Sequence, residues 1–238
     1  MRSCDAEHAN WLLEVGNGII DTLEISDSWK SSDVIQDIYN NSISSNADLS
    51  NSIILACHND DVRQLNNKIL NLVDGEVLTY LSIDTAKHRG VDQMDEDVQL
   101  EYQVEYLNSL NFPGFPVHKL QLKAGSVVML IRNLSIKDGL CNGTCLEIVK
   151  FLRHLIAGKI ITGDHAGEIV FLPRIKLEIG NISAGRLPFI FHRRQFPIVL
   201  AFAITINKSQ GQSFDSVDIY INRPYSAMVS YTLHCQDV

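Results

Sequence analysis

The chain has 238 residues, 45% hydrophobic and 20% charged, with 20 Lys+Arg against 28 Asp+Glu and a formal net charge of −8. That composition excludes a disordered chain, and the acidic total excludes a sequence-independent nucleic-acid sponge. No apolar run reaches the ~18–20 residues of a membrane span. MRSCDAEHAN has no signal-peptide core, and five cysteines, an odd number, fit reduced thiols. An intracellular chain with no membrane partner is therefore expected.

The predicted elements run as follows. EHANWLLEVGNGI (7–19) places Trp11, Leu12 and Val15 at helical spacing ahead of Gly16 and Gly18, a helix stopped by glycine. A short helix is predicted at 32–39, capped by Ser31 or Ser32. SIILACHND (52–60) reads as a strand entering a polar loop. DVRQLNNKILNLV (61–73) then places Val62, Leu65 and Ile69 on one helical face. That α/β unit puts Cys57, His58, Asn59 and Asp60 at a strand's C-terminal edge, where open α/β sheets bind ligands. EVLTYLSID (76–84) is a further strand. The acidic stretch 92–101 has no apolar strand before it and reads as solvated charge.

From Phe112 short strands alternate with Gly and Asp-Gly turns up to about residue 179, the pattern of a small antiparallel barrel. Cys141 and Cys145 have CxxxC spacing without a second pair, so two ordinary small residues are expected and no metal site. A buried strand is predicted at 198–205 and another at 216–221. The chain thus reads as a parallel α/β domain interrupted by a small β-barrel. Residues 1–110 hold 6 basic and 20 acidic residues, and 111–238 hold 14 and 8. The basic second half leaves room for a local nucleic-acid groove.

TINKSQGQ (205–212) sits between the last two strands. Three readings stay open from the residues alone: a phosphate site, a single-stranded nucleic-acid contact, or a solvated loop. The P-loop frame Gly-x-x-x-x-Gly-Lys-Ser/Thr does not occur, since the only Gly-Lys pair, Gly158 and Lys159, is followed by Ile160.

ANWLLEVGNG, IILACHNDDVRQLNNKIL, VEYLNSLNFPGFPVHKLQLKAGSVVMLIRNL, GLCNGT, LPRIKL, LPFIFHRRQFPIVLAFAITINKSQGQ and VDIYINRP occur in this order. Together they resemble the C-terminal half of Pif-type ATP-dependent DNA helicases of superfamily 1, nearest to the Helitron-associated plant and invertebrate subgroup. The resemblance implies an α/β fold: a RecA-like P-loop NTPase second domain with a parallel sheet (51–105 and 186–238). It also implies an inserted small SH3-like β-barrel (106–185) and a helical linker (1–50) from the end of a first RecA-like domain. It further implies 5′→3′ DNA unwinding driven by ATP and Mg2+ in the complete enzyme. Roles in DNA repair, recombination and telomere maintenance, in the nucleus or in mitochondria, follow from the same resemblance.

Carried over by position, Thr205, Asn207, Lys208 and Ser209 fall on the family's TI(H/N)KSQG motif. With His58 and Asn59 they are implied to contact single-stranded DNA. Gln210, Gly211, Gln212 and Ser213 are implied to face the nucleotide. Asn142 and Gly143 match a turn of the barrel with a folding role. Arg193 and Arg194 match RRQFP, where DNA contact and plain solvation both stay open. The family's Walker A and Walker B motifs have no counterpart in these residues, and Gln236 stands where an ungapped comparison puts its arginine finger. The chain alone is thus expected to bind no nucleotide tightly and to supply no catalytic residue. Its expected partners are single-stranded DNA and the missing first RecA-like domain. The alternatives are a single-stranded DNA-binding module without catalysis and a degenerate transposon-derived relic.

Overall fold

The computed structural model describes residues 10, 13, 14, 17, 19, 33–44, 52–88, 102–179, 189–212, 214 and 216–221. Its elements lie in one unit, 34–221. Of the other unit, residues 10, 13 and 14 are helical, and the Ile19 amide reaches the Glu14 carbonyl at 2.9 Å, the wide closing bond of a helix end. The capping serines Ser31 and Ser32, the acidic stretch 92–101, Ser213 and the tail from 222 lie outside the described residues.

A three-stranded parallel sheet carries the functional edge. Its central strand is β1 (Ser52–Ala56), and Ile53, Ile54 and Ala56 are buried, as a strand covered on both faces requires. Helix α1 (Val34–Ser44) packs on it through Ile38 and Tyr39. Helix α2 (Asn59–Leu72) packs through Leu65, Ile69 and Leu70. The predicted loop 57–60 is shorter than expected, because the helix already begins at Asn59. Asp60 and Asp61 in its first turn favour that start against the positive helix end.

The chain then makes a long excursion through three antiparallel sheets. Strand β2 (Leu78–Leu81) pairs with β4 (Lys119–Leu122). Strand β3 (Ile83–His88) pairs with β10 (Phe189–Gln195), whose other neighbour is β9 (Ile175–Ile179). The short helix α3 (Val104–Ser109) packs on β3 and shares its core through Leu107. The largest sheet has the order β11-β5-β6-β7-β8, built from β5 (Val127–Leu130), β6 (Cys145–Phe151), β7 (Leu155–Ile160), β8 (Ile169–Pro173) and β11 (Ile198–Leu200). The expected small barrel is thus an open five-stranded sheet among the described residues. β8 and β11 are its two edges and do not pair. The β2–β4 ribbon lies against the same core, where Leu120 and Leu122 meet Leu130, Leu146 and Phe196.

After β11 the chain re-enters the parallel sheet as β12 (Ala203–Thr205), makes a 3-10 turn at Ile206–Lys208, and returns as β13 (Ser216–Tyr220). β1 pairs with β12 from Ile54↔Ala203 to Ala56↔Thr205, and with β13 from Ser52↔Ser216 to Ala56↔Tyr220.

Two predicted strands are each two strands. The run 198–205 leaves the five-stranded sheet at Leu200 and joins the parallel sheet at Ala203. The run 76–84 breaks at Ser82 between β2 and β3. An apolar run reports burial but not which sheet buries it. Side chains distant in sequence hold the joints. Asn66 on α2 donates to the Ala203 carbonyl (2.8 Å) and to the Leu200 carbonyl (3.3 Å), and accepts from the Ala203 amide (2.9 Å). The Tyr39 hydroxyl shares its proton between the Phe202 carbonyl (2.7 Å) and the Ser52 carbonyl (2.8 Å). Gln195 donates to the carbonyls of Tyr80 (3.0 Å) and His118 (3.1 Å) beside the Ser82 joint.

Arg193 is neither a DNA contact nor solvated. It is 0% exposed and forks onto the equally buried Asp84, Nε to Oδ1 at 2.9 Å and Nη2 to Oδ2 at 2.6 Å. Its remaining donors reach the Pro116 carbonyl (3.0 Å) and the Leu107 carbonyl (3.3 Å) in the last turn of α3. Arg194 is exposed.

Candidate nucleic-acid interface

The parallel register decides which loops meet. Ala56 ends β1 opposite Thr205 on one side and Tyr220 on the other. Cys57 and His58 therefore leave the same edge as the 205–212 loop. His58 occupies the N-cap position of α2 with extended backbone (φ −114°, ψ 142°), and its carbonyl accepts the Val62 amide at 3.1 Å. Asn59 is exposed in the first turn. The two segments singled out for DNA contact thus share one sheet edge.

The 205–212 loop is ordered by its own hydrogen bonds. Thr205 is half-buried and extended, and the 3-10 turn follows it. The Ser209 amide (3.1 Å) and hydroxyl (2.7 Å) both reach the Ile206 carbonyl, and the Gln212 amide reaches the Ser209 carbonyl at 3.0 Å. This folding leaves Asn207, Lys208, Gln210 and Gly211 exposed. The walls around Lys208 desolvate its ammonium and lower its pKa from the ordinary lysine value.

Facing the loop across a groove of about 860 Å3 are two turns of the five-stranded sheet, at 139–144 and 161–165, with Arg132 beside them. The first turn is braced by Thr144, whose hydroxyl donates to the Gly139 carbonyl (2.8 Å) and accepts the Cys141 amide (3.1 Å). The Asn142 amide donates to Asn133 Oδ1 at 2.7 Å. Gly139 (φ +69°) has His165 against it: a Cβ there would lie 2.7 Å from His165 Cδ2. Gly139→Ala is therefore expected to cost about 1–2 kcal/mol for its left-handed backbone and to displace His165. A lower urea midpoint and a shifted His165 ring resonance would show it.

The groove gathers two cations, Arg132 and Lys208, with amides and hydroxyls from Asn142, Thr162, Asn207 and Gln210. Such a set suits a phosphate backbone with stackable bases. Arg132, Thr162 and His165 were not foreseen as site residues. Thr162 and His165 flank Gly163 in a turn, while Arg132 follows the apolar run 127–131 with no glycine near it. Gln212 turns toward the sheet: its Nε2 donates to the Gly143 carbonyl (2.9 Å), and its Oε1 accepts from the Cys145 thiol (3.6 Å). Burial pushes that thiol up to about 12, so it stays protonated as a donor. No group of three or more His, Cys, Asp or Glu side chains among the described residues could hold a metal ion. With Gln212 engaged on the sheet and no P-loop frame in the sequence, the residues present do not by themselves fit a nucleoside triphosphate with its magnesium.

Known structures share this fold. The Pif1 helicase from Bacteroides in complex with ADP-AlF3 and single-stranded DNA matches with a TM-score of 0.58 at 20% identity, over 94% of this chain and 45% of that one. The Pif1 helicase from Candida albicans matches with a TM-score of 0.52 at 20% identity, over 88% and 47%. The fold is thus the mixed α/β fold of these Pif1 helicases. In sequence, the ATP-dependent DNA helicases PIF1 of Mus musculus and Homo sapiens are each 31% identical over 181 residues, covering 74% of this chain and 24% of theirs. The family model for the 2B domain of DNA helicase Pif1 matches residues 105–151. The chain belongs to the Pif1-type helicases, and it spans about a quarter of the length of the relatives it matches.

Proposed function

We propose that this chain is the DNA-gripping segment of an ATP-dependent 5′→3′ DNA helicase. In this reading the parallel sheet belongs to the second RecA-like domain, and the five-stranded sheet with its β2–β4 ribbon is the SH3-like insert. The groove between them takes single-stranded DNA. In the complete enzyme a first RecA-like domain carrying the phosphate-binding loop would hold ATP with Mg2+, and ATP hydrolysis would supply the driving force. What the described residues contribute is grip and position. Lys208 and Arg132 meet phosphates, Asn207 and Thr205 add hydrogen bonds, and His58 and Asn59 extend the contact along the sheet edge.

The observation that carries this reading is the placement of Lys208 and Asn207 at the sheet's C-terminal edge, opposite Arg132 and the polar turns of the five-stranded sheet, in a chain of the Pif1 type. Fluorescence anisotropy with a labelled oligothymidine at low and moderate salt tests it. The purified chain is expected to bind in a salt-sensitive manner without hydrolysing ATP. Lys208→Ala with Asn207→Ala is expected to weaken binding about tenfold, the loss of one or two charge-assisted contacts. Equal affinity in the variant, or none in either protein, would remove the groove from consideration.

A further inference from the structure

One side chain bridges the two walls of the groove. The Gln212 amide nitrogen has two protons, and two carbonyls lie within reach. One is Gly143 in the turn of the five-stranded sheet, at 2.9 Å. The other is Lys208 within its own loop, at 3.4 Å. The amide oxygen is met by the Cys145 thiol at 3.6 Å. The reversed orientation would aim the amide oxygen at two carbonyl oxygens, so the network fixes which way the amide points. Gly143 sits at φ +97°, a backbone conformation that L side chains rarely adopt. Its own amide is held by the Leu130 carbonyl at 2.8 Å, so the turn is anchored to β5.

We propose that Gln212 is a positioning residue that fastens the 205–212 loop to the 139–144 turn, so that loop and turn move together and the groove between them keeps its width. The packing beneath favours this. Val127, Met129 and Cys145 of the five-stranded sheet share one core with Ala203 and Ile204 of the parallel sheet. The two sheets are therefore joined below the groove by apolar contact and across it by Gln212. A change in the loop then reaches the insert directly, and a change in the insert reaches the loop. The consequence for DNA grip rests on the groove reading above; the fastening itself does not.

Amide hydrogen exchange on the full chain without oligonucleotide tests the fastening. Gln212→Met keeps the apolar stem and removes both donors. Exchange at Ser209 in the loop and Thr144 in the turn is expected to rise about fivefold together, with Ile54 in β1 unchanged. Gln212→Glu retains an acceptor for the thiol but faces the two carbonyls with a carboxylate, and is expected to loosen both segments at least as much. Loosening of one segment alone, of neither, or wild-type exchange in the Glu variant would overturn the proposal. With labelled oligothymidine, Gln212→Met is expected to weaken binding several-fold. Failure of the wild-type chain to bind would sink the DNA reading, while the exchange result still decides the fastening.

Discussion

Replacing Arg193 with methionine is expected to lower stability by about 3–5 kcal/mol, the usual cost of removing one partner from a buried ion pair. The reasons are local and cumulative. Among the described residues, Asp84 would remain buried with the Ser82 hydroxyl 2.7 Å from Oδ1 and His118 Nδ1 3.8 Å from Oδ2. The Pro116 carbonyl would lose its side-chain donor, and the Leu107 carbonyl would keep the Leu110 amide at 3.2 Å. Leu107 belongs to the last turn of a helix that has no basic residue of its own there, and Arg193 adds a second donor from another element to the Leu110 amide that caps it. The guanidinium also stands 5.2 Å from the centroid of the Phe191 ring. Urea denaturation would read the loss. The double variant Arg193→Met with Asp84→Leu is expected to recover most of it, since an apolar pair removes the stranded carboxylate. A DNA-contact role predicts the opposite pattern, weakened oligonucleotide binding at unchanged stability, and that result would overturn the structural assignment.

Asn66→Leu is expected to cost about 2–4 kcal/mol, because buried groups would be left without partners. The residue is 5% exposed on the inner face of α2. Its amide satisfies backbone groups where the chain changes sheets and strand pairing is unavailable, between Leu200 and Ala203. Leucine fills the space and satisfies none of them. The transition would also be less sharp, since Asn66 and Tyr39 together decide where β11 ends and β12 begins. Asn66→Asp is expected to lose less, because its carboxylate still accepts the Ala203 amide. If Asn66→Leu melted like wild type, the joint would be held by packing alone.

The parallel sheet and the meeting of the 57–60 and 205–212 segments at one edge were legible in the sequence because they rest on local signals. SIILA is short, apolar and followed by a helix with a clear apolar face, and TINKSQGQ interrupts two strands with residues that have no reason to be there for packing. The sheet changes were not legible. Nothing in FPIVLAFAI marks Ala201 as a corner, because both halves are buried and only Asn66 and Tyr39, far away in sequence, define it. Arg193 was a different kind of miss, since its signal was present. Phe189, Phe191, Arg193 and Gln195 alternate along one strand, and residues two apart share a face. An arginine in phase with two phenylalanines and a glutamine belongs inside, provided an acid waits there, and Asp84 does. Closure of the barrel was not legible either, and no closed barrel is formed among the described residues. Strand count and turn spacing announce antiparallel pairing, whereas closure depends on the first and last strands meeting, and β11 is three residues long and continues into another sheet.

The separation of β1 from its neighbour β12 sets an order of assembly. Ala56 and Ala203 belong to adjacent strands, yet the whole excursion lies between them in the chain. Chains emerge from the ribosome N-terminus first at about 5–20 residues per second, so β1 waits several seconds for the partner that buries it. In that interval the excursion's hairpins, whose contacts are local, are free to fold. The closing of β1 onto β12 and β13 is then the late, long-range step that topology makes slow. The edge proposed to grip DNA is in this way the last part of the described fold to form.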